Sequence, residues 1–313
     1  MCNKYIDILM IMKNPIFDEL KKLKLVSRDG SIILSNRTRD KKIKVIKDLK
    51  TKIIYLEKYT TSNKYYSSLK YKDGDKKAIK KNKKKIENIK TFSGNLKTPI
   101  IEDDLRRAIQ FKKILKKKDI LDFGCGWGGF LSNIKEYKTL TGVELRKECI
   151  NHIRKNVKKI DISDNVNSFD KKFDVITMFH VLEHIPYQIK TLKILKSKLK
   201  DKGKIIIEVP HAEDFLILQE ELKEFKNFTF WSEHLILHTF KSLKTILIKA
   251  GFKKIKIQYY QRYNFSNHLG WFLKRKPGGH NFFRKIVTKK LNDAYCENLK
   301  KLRQTDTLIV IAE

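Results

Sequence analysis

The chain is 313 residues long, enough for one large domain with an appendage and for a sizeable core. Its formal charge of +35 is extreme, but Lys greatly outnumbers Arg and Ile and Asn are plentiful, the bias of adenine–thymine-rich coding. No stretch approaches the roughly 20 apolar residues that span a bilayer, and cysteines 2, 125, 149 and 296 show neither CxxC pairing nor metal spacing, which excludes a membrane span, a zinc module and a disulfide framework.

Residues 1–95 are expected to form an N-terminal accessory or lid region. Met1 to Met12 is apolar but short, is interrupted by Asp7 and lacks a small-residue cleavage site, so it does not read as a signal peptide. Free thiols then fit a reducing compartment, and the expectation is a cytoplasmic protein. Ile16 to Leu25 has helical spacing. Ile43 and Val45, then Ile53 and Tyr55, alternate on either side of Asp48 to Thr51, which predicts a β-hairpin. Lys64 to Lys90 is basic and tyrosine-bearing and ends at Ser93-Gly94-Asn95. It reads as a solvated helix face or as an arm that helps cover an active site.

From Glu102 the signals sharpen. Asp103 or Asp104 starts a helix carrying Leu105, Ala108, Ile109 and Lys112 toward a strand at Asp119 to Phe123. The turn Asp122-Phe-Gly-Cys-Gly-Trp-Gly-Gly-Phe130 follows, with helix able to continue from Leu131 to Tyr137. Glycines at 124, 126, 128 and 129 let a ligand press against backbone. Cys125 lacks an activating partner and reads as a small filler. Thr139 to Glu144 is a second strand ending in a carboxylate, where an α/β nucleotide-binding domain receives ribose hydroxyls. No GK[ST] ending or basic residue serves a phosphate. Asp122 would repel pyrophosphate and suits an ammonium group. An uncharged nucleoside with an amino-acid tail fits better than NAD or ATP.

Further strands are expected at Phe173 to Met178, Lys204 to Val209, Lys253 to Tyr260 and Thr307 to Ala312. Helices are expected at Thr191 to Leu199, closed by Asp201-Lys-Gly203, and from Thr239 or Ser242 to Ala250-Gly251. Strands separated by helices give an α/β, doubly wound sheet. About 45 residues lie between the last two strands, a length that is usually functional or disordered. Trp271, Phe272, Phe282, Phe283 and Tyr295 make it too aromatic for a disordered linker. Residues 262–303 are therefore expected to form a helical cap over a substrate pocket, with a tight turn at Pro277 to Gly279; an oligomer interface is the other reading.

DFGCGWGGF, GVEL at 142–145 and FDVITMFHVLEHI at 173–185 together resemble class I S-adenosylmethionine (SAM)-dependent methyltransferases over about residues 100–260. The resemblance implies a Rossmann-like seven-stranded sheet within residues 96–313, SAM as cofactor and S-adenosylhomocysteine as product. It implies that Gly124 and Gly126 face the methionine portion, with Phe123 and Cys125 in the same site. Asp122 would anchor the amino group through water, Glu144 would bind ribose and Leu145 would flank adenine. Phe179 and His180 would close over the cofactor, and Asp161 or Asp164 could meet the adenine amine.

His180 and His184 flank Glu183 and would share a face at helical spacing, which raises metal binding; the resemblance instead gives this motif to closing the SAM pocket, and no metal is expected. Trp231-Ser-Glu-His234 resembles sugar methyltransferases in which a histidine here deprotonates the acceptor. That makes His234 the candidate base, with Glu233 orienting it or binding a sugar hydroxyl, and His180 the other candidate. Glu208 and His211, either side of Pro210, are expected to line the acceptor side. QRYNFSNHLGWFLKRKPGGH at 261–280 and the ending TDTLIVIAE are similar to methyltransferases encoded with surface-polysaccharide genes. This adds Arg262, Asn267, His268, Lys276 and His280 as substrate contacts. The expected function is methyl transfer to a small carbohydrate-linked acceptor such as a sugar nucleotide, which the positive field would attract. The alternatives are an RNA methyltransferase using the basic N-terminal region and a catalytically silent SAM-binding scaffold.

Overall fold

The computed structural model describes residues 14–27, 29–60, 102–283 and 285–313. The basic stretch Lys64 to Lys90 lies outside them. Near the start, helix Pro15–Lys22 buries Ile16, Phe17 and Leu20. Asn14 caps it by accepting the Ile16 N–H at 3.1 Å, and proline occupies the first helical position, where no N–H is needed. The Asn14 side-chain amide is fully buried and donates to the Leu56 and Leu235 carbonyls at 2.9 and 3.0 Å.

Three short strands follow, β1 (Ser31–Ser35), β2 (Val45–Asp48) and β3 (Ile54–Leu56). The predicted hairpin is β2–β3, antiparallel, with Val45 opposite Leu56. Its turn is held by Asp48, whose carboxylate accepts from the Lys50 and Thr51 N–H groups and the Thr51 hydroxyl. β1 escaped the sequence pattern because Ile32 and Ile33 are adjacent and both exposed. This sheet gains its fourth strand from far along the chain, β9 (Ile236–Leu237), antiparallel to β3.

The larger sheet has seven strands. They are β4 (Asp119–Phe123), β5 (Thr139–Val143), β6 (Ile160–Ser163), β7 (Phe173–Phe179), β8 (Leu199–Pro210), β10 (Lys256–Tyr260) and β11 (Thr307–Ala312), ordered β10-β11-β8-β7-β4-β5-β6. β4 runs parallel to β5 and β7, β5 parallel to β6, and β10–β11 is antiparallel. Ile120, Leu121, Ile176, Ile207 and Val310 are almost wholly buried, as expected of strands covered on both faces. This is the predicted doubly wound α/β architecture.

Local boundaries differ from expectation for local reasons. The helix after the glycine turn covers only Gly129–Ser132, where Asn133 donates to the Gly129 carbonyl and ends it. Asp201 to Gly203 does not close a helix but lies within β8, with Lys202 in the left-handed region. Helix Glu102–Gln110 buries Arg107 and Ala108, and it leaves Leu105 and Ile109 exposed. Helix Lys147–Asn156 and β6 carried no clear advance signal.

Between β10 and β11 the cap contains helices Phe265–Lys274 and Lys289–Leu302, capped by Asn264 and Thr288. The expected tight turn is present, with Gly278 at φ 103°. A Cβ on Gly270 would stand 2.7 Å from the Gly279 Cα, so glycine there is what lets turn and helix touch. Among the described residues no helix is long and apolar enough to cross a membrane. By packing, the chain forms two compact units. One takes the described residues up to Thr60, with His180–Lys193 and Ile207–Ala312; the other takes the described part of Thr61–Phe179, with Ile194–Ile206.

Candidate active site

In the second unit, the turn after β4 uses its glycines for backbone geometry. Gly124, Gly126 and Gly128 have φ of 82°, 54° and 77°, a region side chains rarely tolerate. Gly124 and Cys125 both donate backbone N–H groups to the Val143 carbonyl, at 2.8 and 3.0 Å, which folds the turn over the end of β5. Cys125 is buried against Gly142, where a Cβ would meet its Sγ at 2.7 Å. Burial pushes its thiol well above the usual range, so it is a packing residue and no nucleophile.

Two carboxylates face this turn. Glu144 accepts the Gly126 N–H at 2.9 Å on one oxygen and the Arg146 N–H at 2.9 Å on the other. These bonds hold it at the turn with lone pairs left over for ribose hydroxyls. Asp122 is buried and accepts the Thr177 hydroxyl at 2.7 Å. Burial raises its pKa to about 7 against the opposing pull of the Thr177 bond and Arg107. A cation brought here would recover the carboxylate. Phe179 stacks on Phe111 at 5.9 Å, meets Phe130 edge-on at 4.8 Å and lies under the Arg107 guanidinium at 4.7 Å. A buried acid that wants an ammonium, a second acid for hydroxyls and a turn open at Gly126 fit the expected SAM. Of the two acids proposed for the adenine amine, Asp161 is exposed and paired with Lys171 at 3.9 Å.

The first unit contains a cavity of about 330 Å³. Its walls come from the N-terminal region, from the segment after β8, from the stretch before β9 and from the cap. Arg39 stands between two aromatic rings, with its guanidinium carbon 4.3 Å from the Phe228 centroid and 4.4 Å from that of Trp231. Asp40 fixes this edge by accepting the Ser232 N–H at 3.0 Å and its hydroxyl at 2.6 Å. From the cap, Trp271 packs on Phe225 and Phe228 at 5.0 and 5.1 Å. Asp306 starts β11 and accepts the Arg262 and Tyr263 N–H groups, which sets where the cap departs. Burial and the nearby Asp306 hold the Asp214 carboxyl well above its usual range.

Four histidines line the cavity, His180, His211, His234 and His280, and the first three have different surroundings. His180, at φ 54°, has Nδ1 3.2 Å from Glu183 and Nε2 3.2 Å from Glu208; although burial opposes charge, the two acids raise its pKa. His234 meets His184 edge-on at 4.9 Å, and burial with that neighbour lowers its pKa to about 3. His211 has Nδ1 2.8 Å from the Thr305 carbonyl. A carbonyl only accepts, so Nδ1 carries the proton and neutral Nε2 carries the lone pair. That Nε2 is buried and faces the Glu213 carboxylate at 3.8 Å, beyond hydrogen-bond distance.

Of the expected acceptor-side residues, His180, His211, His234, Arg262, Asn267 and His280 line the cavity, whereas Glu208, Glu233, His268 and Lys276 do not. His268 is buried behind the cap helix, between Gln261 at 3.1 Å and the Tyr295 hydroxyl at 2.8 Å, with its pKa lowered by burial to about 3. Glu208 is spent on His180, and Lys276 is exposed. His180 and His184 do not share a helical face, because Leu182–His184 is a 3-10 turn; His184 meets His234 instead. Sequence reasoning missed Arg39, Phe225 and Phe228. Only the scarcity of arginine in so lysine-rich a chain could have marked Arg39.

The methyltransferase-domain family model matches residues 95–257, just over half of the chain. The chain is 33% identical over 124 residues to an uncharacterized protein of Methanocaldococcus jannaschii, covering 39% of this chain and 54% of that one. It is 31% identical over 155 residues to a tRNA U34 carboxymethyltransferase of Nautilia profundicola, covering 45% and 50%. The chain thus spans about half the length of these curated relatives. Among solved structures, a SAM-dependent methyltransferase from Archaeoglobus fulgidus aligns with a TM-score of 0.44 at 24% identity, over 67% of this chain and 91% of that one.

Proposed function

Because this chain belongs to the methyltransferase-domain family, as a class I SAM-dependent methyltransferase, we propose that it methylates a hydroxyl of a small, carbohydrate-type acceptor held in the 330 Å³ cavity. The supporting observation is the cavity itself. Its volume suits a sugar-sized ring, and its walls are largely aromatic, with Phe225, Phe228, Trp231, Tyr263 and Trp271 among the lining residues. Arg39 and Arg262 favour an anionic group such as the phosphate of a sugar nucleotide.

SAM supplies the activated methyl group and leaves as S-adenosylhomocysteine. Glu144 would hold the ribose and Asp122 the ammonium group, and Asp122 gains its charge as it does so. Alignment is then the protein's main contribution, together with a base for the acceptor hydroxyl. Of the four cavity histidines, we assign the base to His211. Its Nδ1–H is fixed on the Thr305 carbonyl, so the acceptor proton passes to Nε2 as oxygen takes the methyl carbon, and the Glu213 carboxylate 3.8 Å from Nε2 stabilises the charge that forms. His180 has a carboxylate 3.2 Å from each ring nitrogen, Glu183 on one side and Glu208 on the other, so it orders this wall of the cavity and leaves proton transfer to His211.

The test is incubation with labelled SAM and a panel of nucleotide sugars, with products resolved by mass spectrometry. A sugar gaining one methyl group is expected, and His211→Ala should lower turnover by about 10²–10⁴-fold while SAM still binds. Labelled RNA with unlabelled sugars would overturn the acceptor assignment. The charge of +35 and the tRNA-modifying relative favour RNA as the second reading, which requires steeply salt-dependent RNA binding.

A further inference from the structure

Glu183, His184 and His234 each present one ligand atom, and all three atoms lie within 4.8 Å of one another. Glu183 is fully buried. One of its carboxylate oxygens faces His180 Nδ1 at 3.2 Å, while the other, also buried, has no hydrogen-bond partner among the described residues. An ionised oxygen left in that state costs several kcal/mol unless a cation or a proton meets it. His234 lines the cavity, and its ring stands edge-on to His184 at 4.9 Å. We propose that Glu183, His184 and His234 bind a divalent transition-metal ion of the zinc type at the wall of the cavity.

The backbone supports the arrangement. Glu183 and His184 lie on a 3-10 turn closed by His184 N–H to the Val181 carbonyl at 3.0 Å. His234 lies on a turn closed by its own N–H to the Trp231 carbonyl at 3.2 Å. The Leu235 N–H then donates to the Glu183 carbonyl at 2.9 Å, pinning one turn to the other. All three ligands are therefore positioned by hydrogen-bonded main chain before any metal arrives. His180 holds the second Glu183 oxygen, as outer groups orient metal-bound carboxylates elsewhere.

The donor set selects the ion. Two imidazoles and one carboxylate suit zinc and its neighbours, whereas magnesium and calcium prefer oxygen throughout. Tetrahedral metal–ligand bonds of about 2.0–2.2 Å place ligand atoms about 3.3–3.6 Å apart, so the three side chains must rotate to bring atoms now within 4.8 Å onto the ion. Three protein ligands leave a position open, as in catalytic zinc centres. Since His234 lines the cavity, that position can take an acceptor oxygen and weaken its O–H bond, with the proton passing to the base. This last role rests on reading the cavity as the acceptor site; metal binding itself does not.

The full chain, stripped with a chelator and dialysed against zinc chloride, should retain about one zinc per chain by elemental analysis. Cobalt loaded in its place should give visible d–d absorption without thiolate charge transfer. His234→Ala and Glu183→Gln should each cut retention at least tenfold. SAM affinity and the thermal midpoint, measured on the same samples, establish that each variant is folded. Failure of the wild type to retain metal, or retention unchanged in both folded variants, overturns the site. A cobalt spectrum dominated by thiolate charge transfer overturns it as well. No acceptor enters these measurements, so they stand apart from the nucleotide-sugar assay.

Discussion

The cradle proposed for the cofactor and the cavity proposed for the acceptor are built on opposite plans. The cradle comes from one continuous stretch, with three left-handed glycines and two acids within Asp122 to Glu144 doing most of the work. Its recognition elements are largely main chain held by neighbouring main chain. The cavity is assembled from side chains as far apart as Arg39, His211, Trp231 and His280. It depends on long-range packing and contains few backbone devices of its own. A cofactor shared across a family is met by local geometry, and an acceptor particular to one protein by side chains that can change singly.

The sharpest way to break this contrast is at Trp271, which is 3% exposed between Phe225 and Phe228. Trp271→Ala should cost about 3–5 kcal/mol in a denaturant titration, because the cavity wall is also core. Any folded fraction should still bind SAM normally, and a matching loss of SAM affinity would show that the two regions are not independent. Glu144→Ala removes the acceptor of the Gly126 N–H together with the ribose partner. SAM affinity by calorimetry should fall by about 1.5–3 kcal/mol, tenfold or more.

The pH dependence of SAM binding is the next largest effect. Burial raises Asp122 to about 7, so the free protein carries the carboxylate above that pH and the neutral acid below it. An ammonium ligand selects the carboxylate, so affinity should be highest above pH 7. It should fall by up to about tenfold per unit as pH drops below 7, and Asp122→Asn should flatten that slope. The smallest effect belongs to Arg39, which is exposed at the cavity rim. Losing its two ring contacts in Arg39→Ala should cost about 0.5–1 kcal/mol of stability, with SAM affinity unchanged.

Legibility in the sequence follows the same division. The cradle could be read because a left-handed turn needs glycine and a buried strand needs an apolar run, and both leave marks within about ten residues. β4 and β11 matched expectation to the residue for that reason. The hairpin of β2 and β3 was also legible, since Asp48 and the alternation around it are local. Its continuation into β9 was not, because nothing in Ile236-Leu237 specifies a partner about 180 residues earlier. His234 and His268 illustrate the limit for chemistry. In sequence His234 stood as the candidate base and His268 as a substrate contact, and only their surroundings separate a residue at the cavity wall from one locked between Gln261 and Tyr295.

Asn14 carries one more implication, for how the molecule is made. Its side chain bonds the Leu235 carbonyl across 221 residues. At the roughly 5–20 residues per second of synthesis, the first turn of the chain waits on the order of 10–45 s for that partner. Through that interval the β3 edge has no β9 beside it, and an unpaired strand edge invites pairing with other chains. Asn14 and the β3 edge are therefore among the groups that wait longest for their native contacts. A nascent chain halted before residue 235 should associate through the β3 edge, and a substitution that blocks pairing at that edge should lower the association.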